Sequence, residues 1–236
     1  MLIDMHAHSS GISRCCRTDA RTVMETARSV GIDGLILTNH YQEAYVTDEG
    51  SRAFAEKYIN EYFFAEKHAK ELDFKLFFGA EITAKRYDNA HILLYGLTPE
   101  MLLANPDIFD YTLEEMNRLM HDAGGLVVQA HPFRNGGVML DTRLLDGVEI
   151  NCHPLYDDTH SDRLLKIAND AGIFVTCGGD YHADTYHAVC GTCFPDTVSD
   201  MKDLINHLKT APEIRLHVHE LRTDDHRDRV FTRPTF

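Results

Sequence analysis

Leu2-Ile3-Asp4-Met5-His6-Ala7-His8 is an apolar run that closes on two histidines. Side chains alternate along a strand, so His6 and His8 point to one face and can grip one cation. Much later, Gly178-Gly179-Asp180-Tyr181-His182 follows another apolar run and again sets two ligand-type residues at i and i+2. Repetition of this arrangement at the first and last buried strands decides how the intervening sequence is read.

Seven runs have the length and apolarity of buried strands: residues 2–6, 34–39, 75–81, 91–95, 125–130, 147–151 and 173–178. Residues 18–30, 51–71, 112–123, 159–171 and 198–210 have helical periodicity, and Gly31, Gly124 and Gly172 stand where C-caps belong. Strands alternating with helices predict an α/β fold around a mostly parallel sheet or barrel. No internal repeat or Pro/Gly-rich linker divides residues 1–236, so a single domain is expected, with 216–236 either a loosely attached tail or a final strand.

In such a barrel the C-terminal strand ends share one rim, so distant residues converge there. His40 follows Leu37-Thr38-Asn39, Glu81 ends Gly79-Ala80-Glu81, and His131 follows Gln129-Ala130. His91 starts its strand, directly after a polar turn at 87–90, and a hairpin with the preceding strand would return it to the rim near Glu81. Candidate metal ligands are therefore His6, His8, His40, Glu81, His91, His131, Asp180 and His182.

Composition narrows the partners. The 37 acidic and 23 basic residues give a net charge of −14, which argues against a nucleic-acid partner and favours a small ligand. No apolar run reaches the roughly 18 residues of a membrane helix, and no basic leader precedes the first strand, so a soluble, cytoplasmic protein without membrane attachment is expected. Six cysteines are too sparse for a disulfide scaffold, whereas 15 histidines supply metal ligands in abundance. Cys190-Gly191-Thr192-Cys193 reads as incidental thiols, and His68, His121, His207, His217, His219 and His226 as structural or solvated. Gly178-Gly179 lacks a phosphate-loop frame and reads as a close backbone approach beside Asp180.

The set H-x-H, T-N-H, G-A-E, a histidine before an apolar strand, H-P and D-x-H resembles the polymerase-and-histidinol-phosphatase (PHP) domain phosphoesterases over residues 4–182. The resemblance implies a distorted seven-stranded, TIM-like (β/α)7 barrel holding two or three divalent metals (zinc, manganese or iron) that hydrolyse phosphate esters. It makes His6, His8, Glu81 and Asp180 ligands of one metal, with Glu81 bridging to a second held by His91 and His131. His40 and His182 match two ligands of a third. The chain departs from the pattern twice. Ser9-Ser10-Gly11-Ile12-Ser13-Arg14-Cys15-Cys16 lacks the usual carboxylate or histidine after H-x-H, where a cysteine thiolate with zinc or Asp19 would have to serve, and Asn39 replaces an aspartate beside His40.

The expected activity is hydrolysis of a small phosphomonoester by metal-activated water, with a metal or His182 assisting the leaving group and Glu81 and Asp180 holding the cations. Arg134 is the expected phosphate clamp, Arg14 and Arg17 further candidates, and His153 a pocket residue. An amidohydrolase-type metal hydrolase, an exonuclease-like phosphodiesterase and a non-catalytic metal-binding domain are the alternatives. The sequence leaves oligomeric state open.

Overall fold

The computed structural model describes residues 1–88, 90–183 and 189–234. Its strands are β1 (Leu2–Ala7), β2 (Gly34–Leu37), β3 (His40–Tyr41), β4 (Lys75–Ala84), β5 (Ala90–Tyr95), β6 (Leu126–Gln129), β7 (Gly147–Asn151), β8 (Phe174–Gly178), β9 (Gly191–Cys193), β10 (Glu213–Glu220) and β11 (Asp225–Thr232). The helices are α1 (Ala20–Ser29), α2 (Gly50–Leu72), α3 (Pro99–Ala104), α4 (Leu113–Asp122), α5 (Ser161–Ala171) and α6 (Met201–Thr210). Every residue of β2, β6, β7 and β8 is buried, which is why these segments read as unbroken apolar runs.

Local chemistry sets the helix boundaries. Asp19 caps α1 by accepting from the Thr22 N–H, and Thr112 with Glu115 forms a capping box on α4. Gly172, at φ 71°, ends α5 in the left-handed conformation that glycine adopts without steric cost. Val23, Met24 and Ala27 of α1 pack with Leu35 and Leu37 of β2. The short α3, capped by Thr98, lies outside the helices expected from periodicity.

The strands form a mixed sheet ordered β11-β10-β9-β1-β2-β4-β5-β6-β7-β8, with β3 paired to β4. β1 to β2, β2 to β4, β6 to β7 and β7 to β8 are parallel, whereas β5 is antiparallel to both neighbours. The β1 and β8 ends meet at a bridge between Ala7 and Tyr181, where the His8 N–H donates to the Tyr181 carbonyl at 3.2 Å. The sheet thus nearly closes into a barrel with one mouth.

One expectation is not confirmed and one pair of alternatives is decided. The seven anticipated segments are all strands, but β3, β9, β10 and β11 enlarge the sheet beyond a seven-stranded barrel. Residues 216–232 are not a loose tail: they lie in an antiparallel β10–β11 hairpin joined to β9, with Leu216, Val218 and Phe231 fully buried. Of the polar turn before β5, Asn89 lies outside the described residues. Among the described residues, no helix is long and apolar enough to cross a membrane.

Candidate metal centre

The topology carries the eight candidate ligands to the barrel mouth. His6 and His8 leave the end of β1, and His131, Asp180 and His182 follow β6 and β8. The parallel register of β3 on β4 sets His40 opposite Glu81. The β4–β5 hairpin pairs His91 with Thr83, two residues beyond Glu81 and on the same face. His131 and Asp180 have positive φ, 28° and 50°, an uncommon backbone state for residues other than glycine that recurs at functional sites.

Glu81 is fully buried at the centre. Its Oε1 lies 2.6 Å from His91 Nδ1, 2.9 Å from His131 Nε2 and 3.4 Å from His6 Nε2. Its Oε2 lies 2.6 Å from His40 Nδ1 and 3.5 Å from His8 Nε2. Asp180 Oδ1 lies 3.1 Å from His8 Nε2 and 3.3 Å from His182 Nδ1. One carboxylate therefore touches imidazoles from β1, β3, β5 and the loop after β6.

Surrounding groups fix the imidazole tautomers. His6 Nδ1–H donates to Glu149 Oε1 at 2.9 Å, and Glu149 Oε2 also accepts from the His131 N–H. His8 Nδ1–H donates to Ser13 Oγ at 3.0 Å, Ser13 donates onward to Asn39 Oδ1, and its oxygen also accepts the His40 N–H. Asn39 Nδ2–H donates to Ser9 Oγ, a bond an aspartate would not make. His182 Nδ1–H donates to the Asp180 carbonyl at 2.7 Å. Each such bond turns the opposite ring nitrogen, with its lone pair, inward.

This donor set fits divalent cations. His6 Nε2 and His8 Nε2, both left as acceptors, stand 3.0 Å apart. His40 Nδ1 and Glu81 Oε2, though close, are buried without a properly aligned hydrogen bond. Donor triples with all atoms within 4.8 Å of one another are His6–His8–Asp180, His6–Glu81–His131, His40–Glu81–His91 and His8–His40–His182. Nitrogen and carboxylate donors suit zinc, manganese and iron.

The charges are strongly coupled. Burial opposes ionised Glu81, but His91, His40 and His6 hold its carboxyl well below the usual range. Asp180 is likewise held down against burial by His6 and His8. Burial lowers the His40 ring, but Glu81 and Cys15 outweigh it and hold the ring up at about 10. Burial, His182 and His40 push His8 down.

The remaining candidates surround this core. Arg134 Nη1 reaches Asp180 Oδ2 at 3.6 Å and hydrogen-bonds Tyr156, whose hydroxyl donates to Asp180 Oδ2 at 3.1 Å. His153 stacks on Tyr156 with ring centroids 4.6 Å apart and accepts the Leu155 N–H at Nδ1, which assigns its proton to Nε2. Arg14 lies over the Tyr45 ring, itself edge-on to His40. The Arg17 side chain is exposed, and its N–H donates to the His182 carbonyl. Cys15 lies beside His40 and His182, close enough for each to act on the charge of the other. A cleft of about 640 Å³, lined by Arg86, Tyr87, His91, His131, Phe133 and Arg134, opens beside the cluster.

Sequence reasoning missed Glu149 and Tyr156. Glu149 carries the one usable signal, a charged residue inside the apolar run Gly147-Val148-Glu149-Ile150-Asn151, since a fully buried charge requires a partner. Tyr156 lies in a loop and carries none.

No protein-family model and no curated protein matches the chain. Solved structures do. A two-domain protein from Bacteroides vulgatus containing a predicted PHP-like metal-dependent phosphoesterase superposes with a TM-score of 0.67 at 15% identity, over 93% of this chain and 65% of that one. The lesion-specific endonuclease EndoQ from Pyrococcus furiosus gives 0.60 at 14% identity, over 92% of this chain and 57% of the other. An amidohydrolase from Chromobacterium violaceum, solved with sulfate and no metal, gives 0.57 at 17% identity, over 87% and 96%. The chain has the fold of the PHP-like phosphoesterases.

Proposed function

We propose that this chain is a metal-dependent phosphoesterase acting on a small phosphomonoester. The observation that carries the reading is Glu81, buried among imidazoles from four segments, with Asp180 as the second central carboxylate. His6, His8, Glu81 and Asp180 hold one cation, and Glu81, His91 and His131 a second. His40, His182 and Cys15 make a third donor set, the Cys15 thiol taking the place of the expected carboxylate. Bound divalent ions at such a cluster polarise phosphoryl oxygens and lower the pKa of water.

The chain's own residues do the rest. Arg134, set beside Tyr156 and next to the cluster, offers a forked pair of donors to the phosphoryl oxygens. His153, stacked on Tyr156, is a further pocket candidate beside Arg134. His182, raised above its ordinary pKa by Cys15 and Asp180 despite burial, carries a proton for the leaving oxygen when the third donor set is open. The cleft falls within the roughly 300–1,000 Å³ of small-molecule sites, and the charge of −14 disfavours a polynucleotide.

The test is elemental analysis of the purified protein with a phosphomonoester panel and a single-stranded oligonucleotide, before and after chelation and after adding back manganese, zinc or iron. Two or three equivalents of metal with chelator-sensitive phosphate release are expected. Full metal content and turnover in Glu81→Ala would sink the assignment, and cleavage of the oligonucleotide alone would transfer the reading to a nuclease.

A further inference from the structure

A second cluster of soft donors lies outside the barrel mouth. Cys152 follows β7, Cys177 lies in β8 and Cys190 precedes β9, and all three are completely buried. Their sulfurs lie within 4.8 Å of one another, with those of Cys152 and Cys177 3.6 Å apart. Thiolates around a tetrahedral zinc, with bonds near 2.3 Å, stand about 3.8 Å apart. The three sulfurs therefore need only small shifts to enclose one ion.

His219 of β10 adjoins them. Its backbone amide is among the groups that act on the Cys152 thiol. Its Nε2–H donates to Asp224 Oδ1 at 2.8 Å, and its Nδ1 is buried without a hydrogen-bond partner. A carboxylate on one ring nitrogen with the other left as a lone pair is how metal-binding histidines are held. The Cys177 thiol donates to the His217 carbonyl at 3.3 Å, so β10 lies directly over the triad.

We propose that Cys152, Cys177, Cys190 and His219 form a structural zinc site separate from the catalytic centre. Three fully buried sulfurs gathered at one point are a donor set that a zinc ion would satisfy. The site would tie the β7 and β8 ends to β9 and β10. That is the seam where the chain leaving β8 meets β1 through the Ala7–Tyr181 bridge, next to Asp180.

The test uses the full chain carrying Cys15→Ser, which removes the thiol at the barrel mouth. Cobalt(II) titration is expected to give a thiolate-to-cobalt charge-transfer band that saturates at one equivalent, bleaches with zinc, and vanishes in Cys190→Ala and in Cys152→Ser. His219→Ala is expected to keep the band and weaken cobalt binding at least tenfold; unchanged affinity would remove His219 from the site. Should the buried cysteine variants fail to fold, an organomercurial added to the zinc-loaded Cys15→Ser protein gives the answer. One zinc released as Cys152, Cys177 and Cys190 are modified supports the site. No thiolate band, a band that survives Cys190→Ala, no zinc release, or a Cys152–Cys177 disulfide in protein purified under reducing conditions overturns it.

Discussion

Cys15 provides the sharpest single test of the barrel mouth, because its reactivity reports the two histidines beside it. Burial raises this thiol, but the adjacent His182 and His40 imidazoles win, and bring it from 9.0 down to about 6. At pH 7 a thiol of pKa about 6 is about 90% thiolate against about 1% for one of pKa 9, a roughly 90-fold gain in reactive species. Lower basicity costs nucleophilicity, roughly 15- to 30-fold over three units at a Brønsted slope of 0.4–0.5. The net gain at pH 7 is therefore only about three- to sixfold, and the midpoint of the pH profile is the better readout. Metal-free protein is treated with iodoacetamide from pH 5 to 9 and the modified peptides are quantified by mass spectrometry. Cys15 is expected to titrate near pH 6, while Cys16, pushed up to about 11 by burial, stays unmodified. His40→Ala and His182→Ala should each move the Cys15 midpoint upward, and zinc should protect the thiol. A midpoint at pH 8 or above, or one unmoved by both substitutions, would refute the placement of Cys15 against the histidines and its role as a ligand.

Other expectations follow from the same geometry. Glu149→Gln keeps the fold but loosens the His6 and His131 supports, and should weaken metal affinity about 10- to 100-fold by competition with a chelating dye. Arg134→Ala removes charge-assisted bonds to the phosphoryl group, each worth about 1.5–3 kcal/mol, so KM should rise roughly 10- to 100-fold with metal content unchanged. Asp4, raised by burial to about 7 although the Gly179 and His6 N–H groups lower it, keeps its proton in the folded state over a range where the unfolded chain has lost it. Stability of the metal-free protein should therefore fall as pH rises from about 4 to 7, by at most about 4 kcal/mol at 1.36 kcal/mol per unit. Urea midpoints of Asp4→Asn between pH 5 and 8 should lack that slope.

The convergence of the candidate ligands was legible in the sequence because two periodicities coincide there. A strand of period 2 puts His6 with His8 on one face, and a barrel puts strand ends on one rim, so type and position together single out residues separated by most of the chain. His91 was legible for a different reason: a polar turn before an apolar run signals a hairpin, and the observed 2.6 Å contact with Glu81 is what that hairpin produces. The C-terminal hairpin was legible only in part, as a final strand set beside the alternative of a loose tail. In β11 Asp225, His226, Arg227 and Asp228 are exposed and Arg229 is half-buried, so the buried apolar signal shrinks to Phe231. Edge strands with one wet face dilute the pattern that buried strands display in full.

What escaped the reading is the layer that orients the ligands and the second cluster of soft donors. Glu149 and Tyr156 act through contacts fixed only once β7 and the following loop are placed against β1 and Asp180. Ser13 and Asn39 gain meaning only because Ser13 Oγ receives both the His8 ring and the His40 N–H. Cys152, Cys177 and Cys190 have no motif spacing; C-x-x-C drew attention to Cys190 with Cys193, yet Cys190 turns inward to cysteines 13 and 38 residues earlier, while Cys193 is only half-buried. His219 sat among six histidines read as structural or solvated because its strand looks like surface. Its Nδ1 becomes distinctive only through three-dimensional facts, burial and the lack of a partner. Sequence thus discloses donors that a strand's own geometry aligns, and conceals those that meet across elements distant in the chain, where packing alone decides the pairing.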